Sequence, residues 1–187
     1  DVTITNSGSI TVSTNPAISI SSPTNNNKTI NNAGTITTSG FRNQGIWLYV
    51  SGSHDVTNSG TISTSGIRSQ AIRLTSDSDD NVVTNSGTLS TTGNQGDGVK
   101  LYLSDTNTFL SNSLGIITTS GDDAHGIDLE GSSSNTITNQ GSITTSGTAS
   151  HGINMINGTD FYVTQTINNA ITNSGTINLS GSNSNGI

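Results

Sequence analysis

The chain has 187 residues, 12 acidic and 5 basic, for a net charge of −7, and only 28% of it is hydrophobic. It contains no cysteine, which removes disulfides and cysteine-ligated metals; no apolar run approaches the roughly 18 residues of a membrane-spanning helix. An acidic chain with no Lys or Arg after Lys100 suits neither nucleic acid nor an anionic membrane as partner.

So little apolar material, if scattered, would leave a chain disordered. Here it returns at fixed positions. A glycine in an N-S-G context recurs as Gly8, Gly34, Gly60, Gly87, Gly115, Gly141 and Gly175, at intervals of 26, 26, 27, 28, 26 and 34 residues. This is a repeat array before it is anything else. Both Asp1 and Ile187 fall inside a repeat, so residues 1–187 are expected to be one solenoid segment of a longer array.

Three short stretches recur in each repeat. The first carries Ile4, Ile30, Val56, Val83, Phe109 with Leu110, Ile137 and Ile171. The second is T-I-x-T, with Ile10, Ile36, Ile62, Leu89, Ile117, Ile143 and Ile177. The third alternates apolar and polar residues, as in Ile46-Trp47-Leu48, Ile72-Arg73-Leu74, Val99-Lys100-Leu101, Ile127-Asp128-Leu129 and Ile153-Asn154-Met155. Period-two alternation bounded by Gly, Asn and Ser predicts half-buried strands and no helix.

From each N-S-G glycine, beginning with Gly34, to the residue before the third stretch is always eleven positions, while the rest of the repeat varies between 15 and 23. A constant segment with one variable corner is what stacked coils produce, because insertions must leave the stack sideways. The longest insertion is expected around 157–166, and the first repeat is irregular through 15–27, which holds both prolines. The prediction is an all-β, three-sided parallel β-helix of about seven coils of ~26 residues, right-handed by the crossover preference. Ile36, Ile62, Leu89, Ile117, Ile143 and Ile177 then form an interior column. Asn58, Asn85, Asn139 and Asn173 form an amide ladder, with a kink at the fifth copy, where Asn112-Ser113-Leu114-Gly115 carries an extra residue. The adjacent glycines are expected to supply positive φ.

The repeated N-S-G-T-I-x-T-S-G with a trailing G-I-x-L resembles the passenger region of Gram-negative autotransporters and related secreted bacterial β-helix adhesins. The resemblance covers the whole chain and implies an exported rod at the cell surface; no catalytic residues come with it.

In-register stacking turns each repeat position into a column. The position two residues before the third stretch gives Gln44, Gln70, Asp97, His125, His151 and Asn185, expected as a polar surface column. The outward position gives Trp47, Arg73, Lys100, Asp128 and Asn154. It predicts an Arg73–Trp47 cation–π contact and a Lys100–Asp128 ion pair. With Phe41, Tyr49 and Tyr102 these residues make a candidate contact surface. Asp77, Asp79 and Asp80 are the one candidate calcium site; no other cofactor is expected. Gly121-Asp122-Asp123, flanked by Asp97-Gly98 and His151-Gly152, resembles fragments of a polygalacturonase site, where paired carboxylates act as acid and base. However, Asp97-Gly98 and His151-Gly152 are also simply the repeat's own register.

The reading is a non-enzymatic extracellular β-solenoid of a bacterial surface, serving adhesion, cell–cell or biofilm contact, or spacing. Its partner is a host or neighbouring-cell protein or glycan, or another copy. Self-assembly into a fibre or surface layer is the alternative, and a polysaccharide-cleaving enzyme ranks below it.

Overall fold

A computed structural model describes residues 2–21, 27–158 and 165–187; parts of the 15–27 and 157–166 stretches thus lie outside the described residues. The chain coils into three parallel sheets and the described residues include no helix. Each coil gives one strand to each sheet in turn, so sheet neighbours are three strands apart in the chain. The first two sheets hold seven strands each and the third holds six.

Register follows the sequence columns. Ile10, Ile36, Ile62, Leu89, Ile117, Ile143 and Ile177 pair in succession along the second sheet. The five from Ile36 to Ile143 are fully buried, and Ile177 packs against them from the last coil. Ile30, Val56, Val83, Phe109 and Ile137 fill the first sheet's side, and Ile46/Leu48 through Ile127/Leu129 fill the third. In the fifth copy it is Phe109 that points inward, while Leu110 faces out.

The corners of the prism are polar and are closed by side chains. Asn6, Asn32, Asn58 and Asn85 stand in one column, each Nδ2 donating to the next Oδ1 at 2.7–2.8 Å. Asn139 resumes it, donating to Asn173 at 2.8 Å. Between them the fifth copy produces a gap, not a kink. Ser111 occupies the ladder position, in register with Asn85 and Asn139. Asn112 instead caps the extra residue by accepting the Leu114 N–H at 3.0 Å. Serine is too short to bridge both neighbours, so Ser111 Oγ and Asn139 Oδ1 are buried without partners.

A second ladder, absent from the sequence expectations, runs along the corner before the first sheet. Asn81, Asn107, Asn135 and Asn169 each accept a main-chain N–H from the preceding coil through Oδ1, at 2.8–2.9 Å. His54 takes the same position one coil earlier, its Nδ1 accepting the Lys28 N–H. At the remaining corner, inward Thr38, Thr64, Thr119 and Thr145 donate to the carbonyl five residues on, at 2.5–2.7 Å.

The glycines do a different job from the one expected. Gly131 is the one glycine with positive φ among the described residues; the left-handed positions at the corner before the third sheet are Arg42, Arg68, Gln95, Asp123, Ala149 and Asn183, and others, such as Val50, Ser76 and Leu103, follow that sheet. The N-S-G glycines are required by close approach. A Cβ on Gly60 would collide with the Gly34 carbonyl oxygen of the coil below, and one on Gly126 with Ile143 and the Gly152 carbonyl.

Asn58 is fully buried and serves two ladder neighbours. Asn58→Ala is therefore expected to cost about 3 kcal/mol, because it orphans a donor on Asn32 and an acceptor on Asn85. Ser111→Asn, which restores the bridge, is expected to gain about 1 kcal/mol. Urea unfolding of both variants checks this.

Candidate functional site

The third sheet consists of strands Ile18–Ser21, Ile46–Tyr49, Ile72–Thr75, Val99–Tyr102, Ile127–Glu130 and Ile153–Ile156. Their branched residues point into the core, so the residues between must face out. Trp47, Arg73, Lys100, Asp128 and Asn154 are thereby brought into one column by main-chain register. Two residues on, Tyr49, Thr75, Tyr102 and Glu130 form a parallel column.

This face is a groove of about 780 Å³ crossing several coils. All seven predicted contact residues line it: Phe41, Trp47, Tyr49, Arg73, Lys100, Tyr102 and Asp128. So do Arg42 and Arg68. Four of the chain's five basic residues therefore share one groove.

The column before the third strand is its buried wall and not the surface expected. Gln44, Gln70, Asp97 and His125 are at most 6% exposed. They are joined end to end by hydrogen bonds. Gln44 Nε2 donates to Gln70 Oε1 at 3.3 Å, Gln70 Nε2 to Asp97 Oδ2 at 3.4 Å, and the His125 N–H to Asp97 Oδ1 at 2.8 Å. His125 Nδ1 then accepts the His151 N–H at 3.0 Å, and His151 Nδ1 accepts the Asn185 N–H at 2.9 Å. The two imidazoles stack, with centroids 5.0 Å apart and planes 7° from parallel.

Charges in the groove are unevenly matched. Lys100 Nζ bridges Asp128 Oδ2 at 2.6 Å and Glu130 Oε2 at 2.9 Å. Burial works against its charge, but Asp128 and Asp97 outweigh that and raise its pKa. Asn154 Nδ2 donates to the other Asp128 oxygen at 2.8 Å. Burial, then the charge of Asp128, pushes the Asp97 carboxyl up to about 8. Burial lowers the His125 pKa against the pull of Asp128 and Asp123. The expected Arg73–Trp47 contact is not formed. Arg73 Cζ leans over Tyr102, 5.9 Å from the ring centroid, and Trp47 packs on Tyr49 at 5.3 Å.

Asp97, His125 and Asp128 place ligand atoms within 4.8 Å of one another, as a metal would need. Most of their atoms already have partners: both oxygens of each carboxylate accept hydrogen bonds, His125 Nδ1 does too, and His125 Nε2 faces Asp123. At the variable corner, Asp79 Oδ1 accepts the Asp105 N–H at 2.7 Å, and burial raises its pKa. The suspected catalytic pair does not converge. Asp123 lines the groove and meets His125 Nε2 at 3.5 Å, whereas Asp122 accepts the Thr148 N–H at the corner at 2.8 Å.

The family model of the BigA third pectate lyase-like domain matches residues 1–187. The chain belongs to this family. No curated protein and no solved structure matches it. The BigA domain family is one of bacterial surface proteins, and its pectate lyase-like β-helix agrees with the three-sheet solenoid described above.

With its pKa raised from 3.8 to about 8, native Asp97 binds a proton more tightly than the unfolded chain does. Its contribution to stability is present at low pH and is lost as pH rises through 8. Asp97→Asn is expected to raise the thermal midpoint by several degrees at pH 9, with the difference shrinking towards pH 4. Midpoints measured across that range check the sign.

Proposed function

We propose that the chain is a non-catalytic contact module of the bacterial cell surface, of the autotransporter-passenger type, that holds a glycan of another cell along the groove of its third sheet. One observation carries this reading. The aromatic residues Phe41, Trp47, Tyr49 and Tyr102 share a single groove with Arg42, Arg68, Arg73 and Lys100. Aromatic faces beside hydrogen-bonding and charged groups are how a protein takes up a sugar ring, apolar on its C–H face and polar at its rim. The solenoid contributes rigidity, since each wall residue is fixed by main-chain pairing above and below.

The two buried acids of the groove, Asp97 and Asp128, favour binding over cleavage. A glycosidic acid and base must each present an oxygen to the substrate or its water. The four oxygens of Asp97 and Asp128 are held by Gln70, His125, Lys100 and Asn154. Calcium at Asp77, Asp79 and Asp80 is not needed for this role.

Purified chain is expected to bind one or more members of a polysaccharide panel saturably, without releasing reducing ends or unsaturated products. Trp47→Ala is expected to weaken that binding about tenfold. Cleavage that disappears in Asp128→Asn would overturn the reading in favour of an enzyme.

A further inference from the structure

The groove contains two guanidinium groups, those of Arg42 and Arg73, that form no ion pair with a carboxylate among the described residues. Lys100 is matched by two carboxylates, and Arg68 Nε donates to Gln95 Oε1 at 2.7 Å. Among the described residues no acceptor takes a hydrogen bond from the Arg73 side chain; its Nε is buried and unpaired, and its contact is the face of Tyr102. The Arg42 side chain likewise lies over a ring, that of Phe41, 5.2 Å from the centroid. Burial lowers the Arg73 pKa, Asp97 and more weakly Tyr102 and Glu130 oppose this, and the charge of Arg42 lowers it again, so the two cations are near enough to repel.

A second unmet donor stands beside them. Trp47 pairs in register with Arg73, and its indole Nε1–H is buried without an acceptor. An anion here would relieve the repulsion and satisfy donors that the fold leaves open. The groove continues from this end past Tyr102 to Glu130, three strand steps or about 14 Å at the spacing of stacked strands, which fits several sugar residues and not a small ion.

We propose that the Arg42–Arg73 end of the groove binds the anionic group of an acidic polysaccharide, a carboxylate or sulfate held by the planar fork of Arg73 beside the Trp47 indole N–H, with its sugar rings against Tyr49 and Tyr102. This rests on the glycan-binding reading above. A guanidinium is suited to the task because it offers two parallel donors to a planar or trigonal anion.

The test measures binding of the full chain to immobilised polygalacturonate, sulfated dextran, unsubstituted dextran and poly-aspartate, at low and high salt. The chain is expected to prefer one of the two acidic polysaccharides over dextran, and which one it prefers tells carboxylate from sulfate. Binding is expected to weaken at high salt. Arg73→Gln is expected to lower affinity for that polymer at least about tenfold, and Arg73→Lys, which keeps the charge but loses the fork, several-fold. Unfolding midpoints within a few degrees of the parent establish that both variants fold. Equal binding to dextran, or no loss in folded Arg73→Gln, overturns the anionic site while leaving glycan binding intact. Poly-aspartate bound as tightly as the polysaccharides overturns the saccharide assignment. Binding to none of the polymers overturns both readings.

Discussion

Every coil must rise by one strand spacing and no more, because the strand N–H groups of one coil are matched to carbonyls of the next. This parallel pairing runs through all three sheets, and the other features of the chain are consequences of it. At that separation, nothing with a side chain fits where two corner segments pass. Gly60 and its repeats are therefore fixed by contact with the coil beneath, not by backbone conformation. The left-handed corner falls instead on residues such as Arg42 and Gln95, which carry a modest conformational cost and project their side chains outward.

The same constraint explains how so polar a chain folds. A prism three strands around has a narrow interior, filled by one or two branched side chains per strand. The three corners would otherwise bury unpaired polar groups, at a cost of about 1–3 kcal/mol each. Asparagine solves this at two corners and threonine at the third, each paired to its neighbour or to the local main chain. Composition that suggests disorder is here the material of a stacked core. The coil with Ser111 shows the consequence of an interruption: two buried polar atoms remain unpaired.

The period made the coils, the three faces and the Ile36-to-Ile177 column legible in the sequence, because a fixed spacing admits few foldings. The Asn81–Asn107–Asn135–Asn169 ladder was hidden, since insertions at the variable corner blur its spacing. Aligning the residue just before each first-sheet strand would have revealed it. The burial of Gln70, Asp97 and His125 was not legible either: alternation marks a side chain as outward, but the flanking corners decide whether outward means solvent or the wall of a groove. That concavity also made Asp97 a buried acid and moved the Arg73 guanidinium from Trp47 to Tyr102. An ion pair between Lys100 and Asp128 was legible, though not its burial; the third member, Glu130, was not, although it stands two residues along the same strand as Asp128.

Function on this scaffold is written in what stacking leaves free, and on the third sheet that is a groove holding four of the five basic residues. The chain has a single tryptophan, Trp47, in its wall. Its emission therefore reports occupancy of that groove without any label. Titration with an acidic oligosaccharide is predicted to shift Trp47 fluorescence saturably, with the same midpoint as binding measured by calorimetry. Calorimetric binding that leaves Trp47 emission unchanged would contradict the account, and would place recognition on another face of the rod.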